Sequence, residues 1–505
     1  MTLLTPSEAI EKGFKTFPVS QTFFSDRLTP IDIAEKLGNE LVFLLESREP
    51  SHSWSRHSFI GIQAFAKLFK EQESFIFTED QSNVQLKADS LKELLAKVNK
   101  HLRPAPAPTS HGFPGGAVGA IAYDAVSDFD HIPPHQDNDL GTPPYAFVFC
   151  ETIIAFDHYE QTMTFISFAR HQEGECADDL QKKIDGLLEE QTRLANLFFQ
   201  VNGTVELARP ALIEKVADFN QAKSSMSKAA YVAAVEKIKD YIKAGDIFQA
   251  VLSNRYHIPL KVTPWQLYRA LRIMNPSPYL FYMKLGEFEL VGSSPERLVN
   301  IENQEVEIHP IAGTRKRGSC AEEDQALMEE LLADEKERAE HMMLVDLARN
   351  DVGRVAEYGS VHVPVLMKAI PFAQVIHLVS KVRGTLKKDA EPIDALTSAF
   401  PAGTLSGAPK IRAMEIIAEL EPVARGFYGG AVGYIGYDGT MDTCITIRTF
   451  VCHKGQAYVQ AGAGIVADSI PENEWDETRN KARALFQALY LAERLFEKKE
   501  VENHV

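Results

Sequence analysis

The chain has 505 residues, of which 45% are hydrophobic and 24% are charged, and its formal net charge at pH 7 is −17. This length exceeds what one hydrophobic core normally organises, so we expect two or more lobes. The acidic balance argues against nucleic acid as a partner, because phosphate would be repelled over most of the surface, and no stretch approaches the ~18 consecutive apolar residues of a membrane helix.

Residues 1–200 are predicted to form an N-terminal lobe. Up to about residue 170 the pattern is one of strands and loops with Pro-rich interruptions. A helix is predicted over 176–199, where leucine and isoleucine recur at three- and four-residue steps. The polar stretch 202–227 then predicts a connection between the lobes.

Residues 225–495 are predicted to form the second lobe. Its first helix should begin after Ser227, a residue type that caps helix N-termini, and end at Gly245, which readily adopts the left-handed conformation. Irregular strands and further helices follow. These helices are predicted over 322–349, 409–420 and 474–498. Long helices mixed with repeated hairpin signals favour an α+β fold over a regular βαβ arrangement.

One Gly-rich word occurs twice, 314 residues apart. The copy at 115–124 reads GGAVGAIAYD and the copy at 429–438 reads GGAVGYIGYD, so eight of ten positions match. Small residues followed by alternating apolar ones predict a strand that a backbone or a ligand approaches closely. Eight identities argue against chance similarity. We therefore predict a duplicated strand unit in a fold whose two halves share one core.

Two predicted helices carry acidic clusters. On the first helix Glu337, Glu340 and His341 share one face, and on the second Glu474 and Glu477 are one turn apart. Such carboxylates are usually solvated, and Glu477 has a lysine four residues later that could simply pair with it. Magnesium, however, is well served by one or two carboxylates with waters, whereas zinc would need a His–Cys set. Both interpretations stay open from spacing alone.

Several other segments could bind an anion or carry a proton. The Gly-rich loop 400–410 opens onto a helix, so it either presents free N–H groups to an anion or is an ordinary helix start. The segment 461–464, Ala-Gly-Ala-Gly, offers backbone donors without bulky side chains, and Arg448 on the preceding strand could bind a carboxylate bidentately. His377 could be a general acid or base, although a lone histidine is more often structural.

Together and in this order, the segments resemble the chorismate-utilising enzymes, and within them the large subunits of the anthranilate synthases. The resemblance covers nearly the whole chain. Its strongest matches lie at 292–298, 310–315, 340–350, 400–410 and 462–481. It implies a four-layer α/β/β/α sandwich of two intertwined lobes, which the duplicated strand word fits.

The resemblance also implies roles for individual residues. The catalytic residues would be Glu296, His377 and Thr404, with Glu296 protonating a departing ring hydroxyl. Mg²⁺ would be held by Glu340 and Glu477, with Glu337 and Glu474 in support. The residues implied to bind chorismate are Gly313, Thr314, Tyr428, Arg448, Gly462, Ala463, Gly464 and Lys481.

Members of this family differ in the nucleophile that reaches the ring. Relatives that use water carry a lysine base where this chain has Gln249, and aminodeoxychorismate synthases carry a nucleophilic lysine where it has Ala312. Free ammonia attacking C2 is what remains, and the aminated intermediate would lose pyruvate to give anthranilate. The alternatives are an aminodeoxychorismate synthase of the folate pathway and a non-catalytic amino-acid sensor.

The ammonia should come from a separate glutamine amidotransferase subunit. Glutaminases of the usual type need a Gly-x-Cys-x-Gly word, and none of the five cysteines lies in one. The cysteines also lack CxxC spacing, and the N-terminal residues lack a secretory pattern. We therefore read the cysteines as reduced, mostly buried thiols of a cytoplasmic protein.

The resemblance implies a tryptophan feedback site between the lobes. Its contributions would come from Leu44 to Ser47 in the N-terminal half and from the Pro-rich turn that starts at Asn275 in the other. The residues implied to contact tryptophan are Glu46, Ser47, Pro278, Tyr279 and Leu280.

Overall fold

The computed structural model of the chain describes residues 5–48, 56–80, 82, 84–107, 112–130, 132–135, 137–200, 221–372 and 375–496. Within this part of the chain there are eleven α-helices and 22 strands. The pairings between these strands are antiparallel. The fold is therefore built from hairpins and returns rather than from parallel crossovers.

The helices are α1 (Pro6–Glu11), α2 (Pro30–Leu37), α3 (Leu91–Leu102), α4 (Ala177–Phe199), α5 (Lys228–Ala244), α6 (Pro264–Met274), α7 (Ala321–Ala333), α8 (Glu335–Val355), α9 (Pro392–Ala399), α10 (Lys410–Leu420) and α11 (Pro471–Phe496).

The strands of the first half are β1 (Thr16–Phe24), β2 (Leu41–Glu46), β3 (His57–Glu71), β4 (Ser74–Glu79), β5 (Gln85–Ala88), β6 (Gly116–Ile121), β7 (Tyr145–Asp157) and β8 (Thr162–Arg170). The later strands are β9 (Lys223–Ser224), β10 (Gln249–Pro259), β11 (Tyr279–Leu285), β12 (Phe288–Ser294), β13 (Arg297–Glu302), β14 (Glu305–Ile308), β15 (Ile311–Lys316), β16 (His362–Pro371), β17 (Val375–Thr385), β18 (Gly407–Ala408), β19 (Ala431–Gly436), β20 (Met441–Ile445), β21 (Thr449–His453) and β22 (Gln456–Ile465).

The strands form two sheets that share β3 and β7. The first sheet runs β9-β10-β22-β21-β12-β11-β2-β3-β7-β8-β1. The second runs β5-β4-β3-β7-β6-β19-β20-β13-β14-β17, and β15 and β16 also pair with β17. The short β18 pairs with β10 of the first sheet. The β3–β7 register shifts between Ala64 and Ala66, so these two long strands pass from one sheet into the other at a bulge.

The hydrophobic core has three main parts that correspond to a four-layer arrangement. The central cluster draws its buried apolar side chains from strands of both sheets, such as Phe43, Val118 and Phe281. A second cluster joins the first sheet to α2, α4, α6 and α11, and a third joins the second sheet to α3, α8 and α9. The α+β class and the α/β/β/α sandwich predicted from the sequence are confirmed.

The two copies of the Gly-rich word lie side by side. β6 pairs with β19, and Gly119 is opposite Gly433. A Cβ atom on Gly116 would lie 2.1 Å from the carbonyl oxygen of Ile435, and one on Gly430 would lie 2.1 Å from that of Ile121. Exchanging the two copies of the word converts one of these contacts into the other. The predicted duplication is therefore confirmed as a symmetric pairing of β6 with β19 at the centre of the fold.

Two sequence predictions about local structure need correction. The helix predicted over 322–349 is two helices, because the side chain of Asp334 accepts hydrogen bonds from the backbone N–H groups of Lys336 and Glu337 and so starts α8 anew. Arg448 is not on a strand; it lies between β20 and β21 with φ of 52°. The predicted ends of α5 are confirmed, since Ser227 caps it and Gly245 ends it in the left-handed conformation.

Each half of the chain contributes strands to both sheets, as the pairing of β2 with β11 and of β6 with β19 shows. The predicted connection falls mostly on 201–220, which lies outside the described residues, so the division into lobes at 1–200 and 225–495 stays a prediction. Three of the five cysteines are buried, while Cys176 and Cys320 are exposed. Throughout the described ranges, every helix is too short or too polar to cross a membrane.

Candidate active site

A cavity of about 810 Å³ lies where α8, β10, β15, β17 and β22 meet the turn before α10. It brings together most of the residues singled out in the sequence. Those that line it are Glu296, Gly313, Thr314, Glu340, His377, Thr404, Tyr428, Arg448, Gly462, Gly464 and Lys481. Ala463 alternates with its neighbours on β22, so its side chain packs in the core beneath α5 and α10 and does not line the cavity.

Among the described carboxyl groups that line this cavity, Glu296 alone is hydrogen-bonded to another residue predicted to be catalytic, Thr404. The hydroxyl of Thr404 donates a 3.0 Å hydrogen bond to its Oε1 atom. Burial raises the pKa of Glu296 to about 7, while the Thr404 hydrogen bond and the charge of Lys481 act in the opposite direction. A carboxyl group with this pKa is partly protonated near neutrality, as a general acid must be.

His377 is held with one ring nitrogen engaged. Its Nδ1–H donates a 2.8 Å hydrogen bond to the carbonyl of Gly313, and the Thr314 hydroxyl lies 3.1 Å from the same nitrogen. Gly313 has φ of 68° at a bulge in the β15–β17 pairing, which turns its carbonyl towards the ring. Burial lowers the pKa of His377, so the ring is neutral and Nε2 keeps a free lone pair.

Part of the cavity wall is cationic. Arg448 lines the cavity, and no described residue forms a hydrogen bond or an ion pair with its guanidinium. Burial lowers the pKa of Arg448, which means that an anionic ligand would relieve an unfavourable environment. Lys481 donates a 2.9 Å hydrogen bond to the carbonyl of Gly462. This wall suits a carboxylate.

The glycines of β22 keep space open for side chains that reach in from β10 and from the turn before β19. A Cβ atom on Gly464 would lie 2.6 Å from Nε2 of Gln249, and one on Gly462 would lie 3.1 Å from the hydroxyl of Tyr428. A side chain at position 464 would push the Gln249 amide aside, and one at position 462 would force the Tyr428 hydroxyl to shift by a few tenths of an ångström. The glycines are therefore needed for the shape of the site.

The four carboxylates predicted to hold or support a metal ion differ in their contacts. Glu340 lines the cavity, whereas Glu337 pairs with Arg315 at 3.2 Å and Glu477 pairs with Lys481 at 2.8 Å. Burial raises the pKa of Glu340, and the neighbouring carboxylate of Glu337 raises it further.

The electrostatic environment of Glu474 is similar to that of Glu340. Burial raises the pKa of Glu474 as well, and the nearby carboxylate of Glu477 acts in the same direction. The ammonium of Lys336 lowers the pKa of both Glu340 and Glu474, so it lies near both helices. His341, which shares a helix face with Glu340 by sequence, instead hydrogen-bonds to Ser380 in the core at 2.6 Å.

These residues fit a magnesium ion better than a transition metal. Among the described residues no three His, Cys, Asp or Glu side chains converge as ligands, so the protein does not form a closed cage. Two partly desolvated carboxylates that repel like-charged neighbours would gain from a divalent cation. An all-oxygen set with room for water and substrate oxygens is what Mg²⁺ prefers.

A second cavity, of about 860 Å³, lies between the halves of the chain. Its lining includes all five residues assigned by resemblance to an effector: Glu46, Ser47, Pro278, Tyr279 and Leu280. The Oγ atom of Ser47 is buried and has no hydrogen-bond partner among the described residues. The carboxylate of Glu46 is already bonded to Tyr268 at 2.6 Å and to Arg272 at 2.6 and 2.8 Å.

The two cavities adjoin at Pro278. Pro278 lines both, and the turn that contains it is fixed to the end of β12 by two hydrogen bonds. Ser277 Oγ donates to the carbonyl of Ser294, and Ser293 Oγ donates 2.6 Å to the carbonyl of Asn275. No role could be predicted for Ser277 and Ser293 from the sequence, because serines beside a Pro-rich turn are common and only the fold shows that these two fix the turn between the cavities.

The chorismate binding enzyme family matches residues 42–487 of the chain. Anthranilate synthase component 1 of Bacillus pumilus is 48% identical over 492 residues, covering 97% of this chain and 95% of that protein. The protein of the same name from Geobacillus stearothermophilus is 49% identical over 495 residues, 97% of each chain.

Solved structures of other proteins share the fold of this chain. The crystal structure of anthranilate synthase component I from Streptococcus pneumoniae is 35% identical, with a TM-score of 0.73, and covers 92% of this chain and 99% of that one. The menaquinone-specific isochorismate synthase of Escherichia coli shares the fold at 19% identity and a TM-score of 0.68, over 94% and 95% of the two chains. From its sequence, its fold and these relatives, the chain belongs to the chorismate binding enzymes, among the anthranilate synthase component 1 proteins.

Proposed function

We propose that this enzyme converts chorismate and ammonia to anthranilate and pyruvate, which is the committing reaction of tryptophan synthesis. The observation that carries the proposal is the hydrogen-bonded pair of Glu296 and Thr404, which lies in a cavity with an uncommitted Arg448. This combination provides a proton donor near neutrality and a binding group for a carboxylate. A water-activating or nucleophilic lysine is missing, since positions 249 and 312 hold Gln and Ala.

In the first step ammonia attacks C2 of the ring, the ring double bonds shift, and the bond from C4 to its hydroxyl oxygen breaks. Glu296 gives its carboxyl proton to that oxygen, which leaves as water. The new nitrogen releases one proton to the solvent, and the product is 2-amino-2-deoxyisochorismate. Arg448 and Tyr428 would hold the enolpyruvyl carboxylate during this step.

In the second step the hydrogen at C2 is removed and the bond from C3 to the enolpyruvyl oxygen breaks. The enolpyruvyl group takes up a proton and leaves as pyruvate, and the ring becomes aromatic. His377 would assist this elimination, because burial keeps its ring neutral and the hydrogen bond to Gly313 leaves Nε2 free to accept a proton.

Mg²⁺ is part of the proposal as the counter-ion of the ring carboxylate. Glu340 and Glu477 would hold it, with Glu337 and Glu474 in support. When bound, it would neutralise the substrate carboxylate and fix its orientation. Glu477 would have to leave its ion pair with Lys481, and this exposed pair is weak enough to exchange.

The ammonia is proposed to come from a glutamine amidotransferase on a separate chain, in the cytoplasm. The relatives' names, which call them component 1, support a partner component. This chain supplies no cysteine for glutamine hydrolysis in the cavity, since none of its cysteines lines it.

The second cavity is proposed to bind tryptophan as a feedback inhibitor. The unpartnered Ser47 hydroxyl could donate to the effector, and the backbone of 278–280 could fix it. Glu46 would share its carboxylate between Arg272 and the effector's ammonium group. Pro278, which lines both cavities, supports a mechanical connection between effector and substrate.

A single assay tests the proposed reaction. The purified chain is mixed with chorismate, Mg²⁺ and an ammonium salt at alkaline pH, and anthranilate fluorescence and pyruvate release are followed together. Equal amounts of both products would support the proposal. An aminated product without pyruvate would instead indicate an aminodeoxychorismate synthase, and tryptophan binding without turnover would indicate a sensor.

Glutamine in place of ammonium is the matched control for the ammonia source. The pure chain should show no turnover with glutamine. Glutamine-dependent turnover would show that the chain has its own amidotransferase site and would remove the proposed partner.

A further inference from the structure

An ion pair is buried next to the active-site cavity without lining it. Arg425 donates through Nε and Nη2 to the two carboxylate oxygens of Glu421, at 2.8 and 2.7 Å. The side chains are only 2% and 3% exposed, respectively. A buried ion pair is weak grounds for assuming a gain in stability, because removing both charges from water is costly. The contacts that this ion pair makes with its surroundings therefore indicate its role.

The remaining donors of Arg425 reach two main-chain carbonyls of the cavity wall. Nη1 donates a 2.7 Å hydrogen bond to the carbonyl of Leu405, and Nη2 donates one of the same length to that of Val251. Both Leu405 and Val251 line the cavity. Arg425 thus joins the turn before α10 to the start of β10.

Glu421, the other member of the ion pair, also binds β10. Its Oε1 atom accepts hydrogen bonds from the backbone N–H and the hydroxyl of Ser253, at 2.8 and 2.7 Å. The guanidinium of Arg425 also lies over the ring of Tyr123, at 4.4 Å, and 5.8 Å from the ring of Tyr428. The pair therefore contacts three segments that form the site.

The turn Gly403–Leu405 is also held by the Ser406 hydroxyl, which donates a 3.0 Å hydrogen bond to the carbonyl of Ala402, and by the buried side chain of Leu405, but Arg425 supplies the side-chain donor to the Leu405 carbonyl. This segment is a short 3-10 turn without a side-chain cap, and it carries Thr404, whose hydroxyl must point at Glu296. Because Leu405 directly follows Thr404, an anchor on the Leu405 carbonyl restricts the position of the Thr404 side chain.

We propose that Arg425, held in place by Glu421, is a positioning residue that sets the hydrogen bond between Thr404 and Glu296. It contacts no substrate and acts through the main chain of Leu405. The inference rests on the proposed function, because it requires Glu296 to be the general acid of the reaction.

A positioning role differs from a purely structural one in its effect on proton transfer. Arg425→Lys keeps a positive charge beside Glu421, but an ammonium group cannot reach two carbonyls and two carboxylate oxygens at once. The Leu405 carbonyl would lose its anchor while the charge balance of the buried pair is kept. Thr404→Val removes the same hydrogen bond directly and nearly without change of shape.

The experiment measures kcat/KM for chorismate against pH, at saturating ammonia, in the full-length wild type, Thr404→Val, Arg425→Lys and the double variant. Each single substitution should move the basic limb to higher pH by about one unit, since one hydrogen bond to the ionised Glu296 is lost. kcat should fall about tenfold while KM changes less. The double variant should show no further shift, because both changes remove one interaction.

The control is the double variant Lys70→Gln with Asp128→Asn, which lacks an ion pair that does not line the cavity. The basic limb of its pH profile should stay where it is in the wild type. If Arg425→Lys does not fold, Glu421→Gln with Arg425→Gln replaces it, since neutral amides leave no lone buried charge. An unmoved limb in the folded Arg425 variant, or a shift that adds fully to that of Thr404→Val, would overturn the proposal. A wild type that makes no anthranilate would instead overturn the proposed function.

Discussion

The hydroxyl of Thr404 and the carboxyl group of Glu296 are joined by a 3.0 Å hydrogen bond, although 108 residues separate them in the chain. Both belong to the wall of one cavity, and the bond opposes the effect of burial on the carboxyl pKa. The protonation of Glu296 is thus set by a balance between burial, which raises the pKa of the carboxyl group, and the Thr404 hydrogen bond and the Lys481 charge, which lower it.

The first prediction is a pH dependence. Burial raises the pKa of Glu296 to about 7, and a general acid works only when protonated, so kcat/KM for chorismate should fall as pH rises through this value. The measurement is a pH profile at saturating free ammonia, with anthranilate fluorescence as the signal. Glu296→Gln should lower the rate by about 100-fold or more and abolish the limb. A limb that survives in this variant would belong to another group.

The second prediction concerns the metal. Glu340→Gln keeps the shape of the side chain but removes one of the carboxylates proposed to hold Mg²⁺, so turnover at limiting Mg²⁺ should fall by about 100-fold or more. The rate is measured against Mg²⁺ concentration, and circular dichroism checks the fold. Glu335→Gln, on the same helix but outside the cavity lining, is the control and should behave as the wild type. Near-normal Mg²⁺ dependence in Glu340→Gln would remove this residue from the metal site.

The third prediction concerns feedback. Ser47→Ala removes a hydroxyl that has no partner of its own among the described residues, so tryptophan should bind about three- to tenfold more weakly. Turnover without tryptophan should stay close to wild type. Inhibition curves and tryptophan calorimetry are the measurements. Chorismate should weaken tryptophan binding by the same factor by which tryptophan weakens chorismate binding. Full tryptophan sensitivity in the variant would exclude Ser47 from the effector site.

The fourth prediction concerns the duplicated strands. A methyl group on Gly119 would lie 2.0 Å from the carbonyl oxygen of Ala146, so Gly119→Ala should lower the free energy of unfolding by about 1–3 kcal/mol. Gly186→Ala is the matched control, because its Cβ would lie in open space on α4. It should stabilise the protein by about 0.5–1 kcal/mol. Urea unfolding compares the two, and equal effects would contradict the close packing at Gly119.

The α+β class and the strand duplication could be predicted because both leave periodic or repeated patterns in the sequence, whereas the four layers were implied by the family resemblance. Glu296 and Thr404 were identified only through resemblance, since no local pattern joins residues so far apart. Arg425 was not identified at all. Four residues after Glu421, it has the spacing of an ordinary surface ion pair, and only the fold shows that it is buried against the cavity wall.

The break between α7 and α8 was missed for a similar reason. Asp334 follows a helical pattern and precedes another, and its role as a cap depends on whether its side chain turns back to the main chain. The second cavity could not be derived from pattern either, because β2 and β11 come together only when the two halves of the chain associate.

The pairing of Gly119 with Gly433 has a consequence for synthesis on the ribosome. β6 emerges 314 residues before β19, the strand that covers one of its edges. At about 5–20 residues per second, that edge stays open for roughly 15–60 s of translation. A flat, apolar, Gly-rich edge can recruit strands of other chains. The newly made N-terminal half is therefore an aggregation hazard until the C-terminal half arrives, and it should be far less soluble when expressed alone than the complete chain.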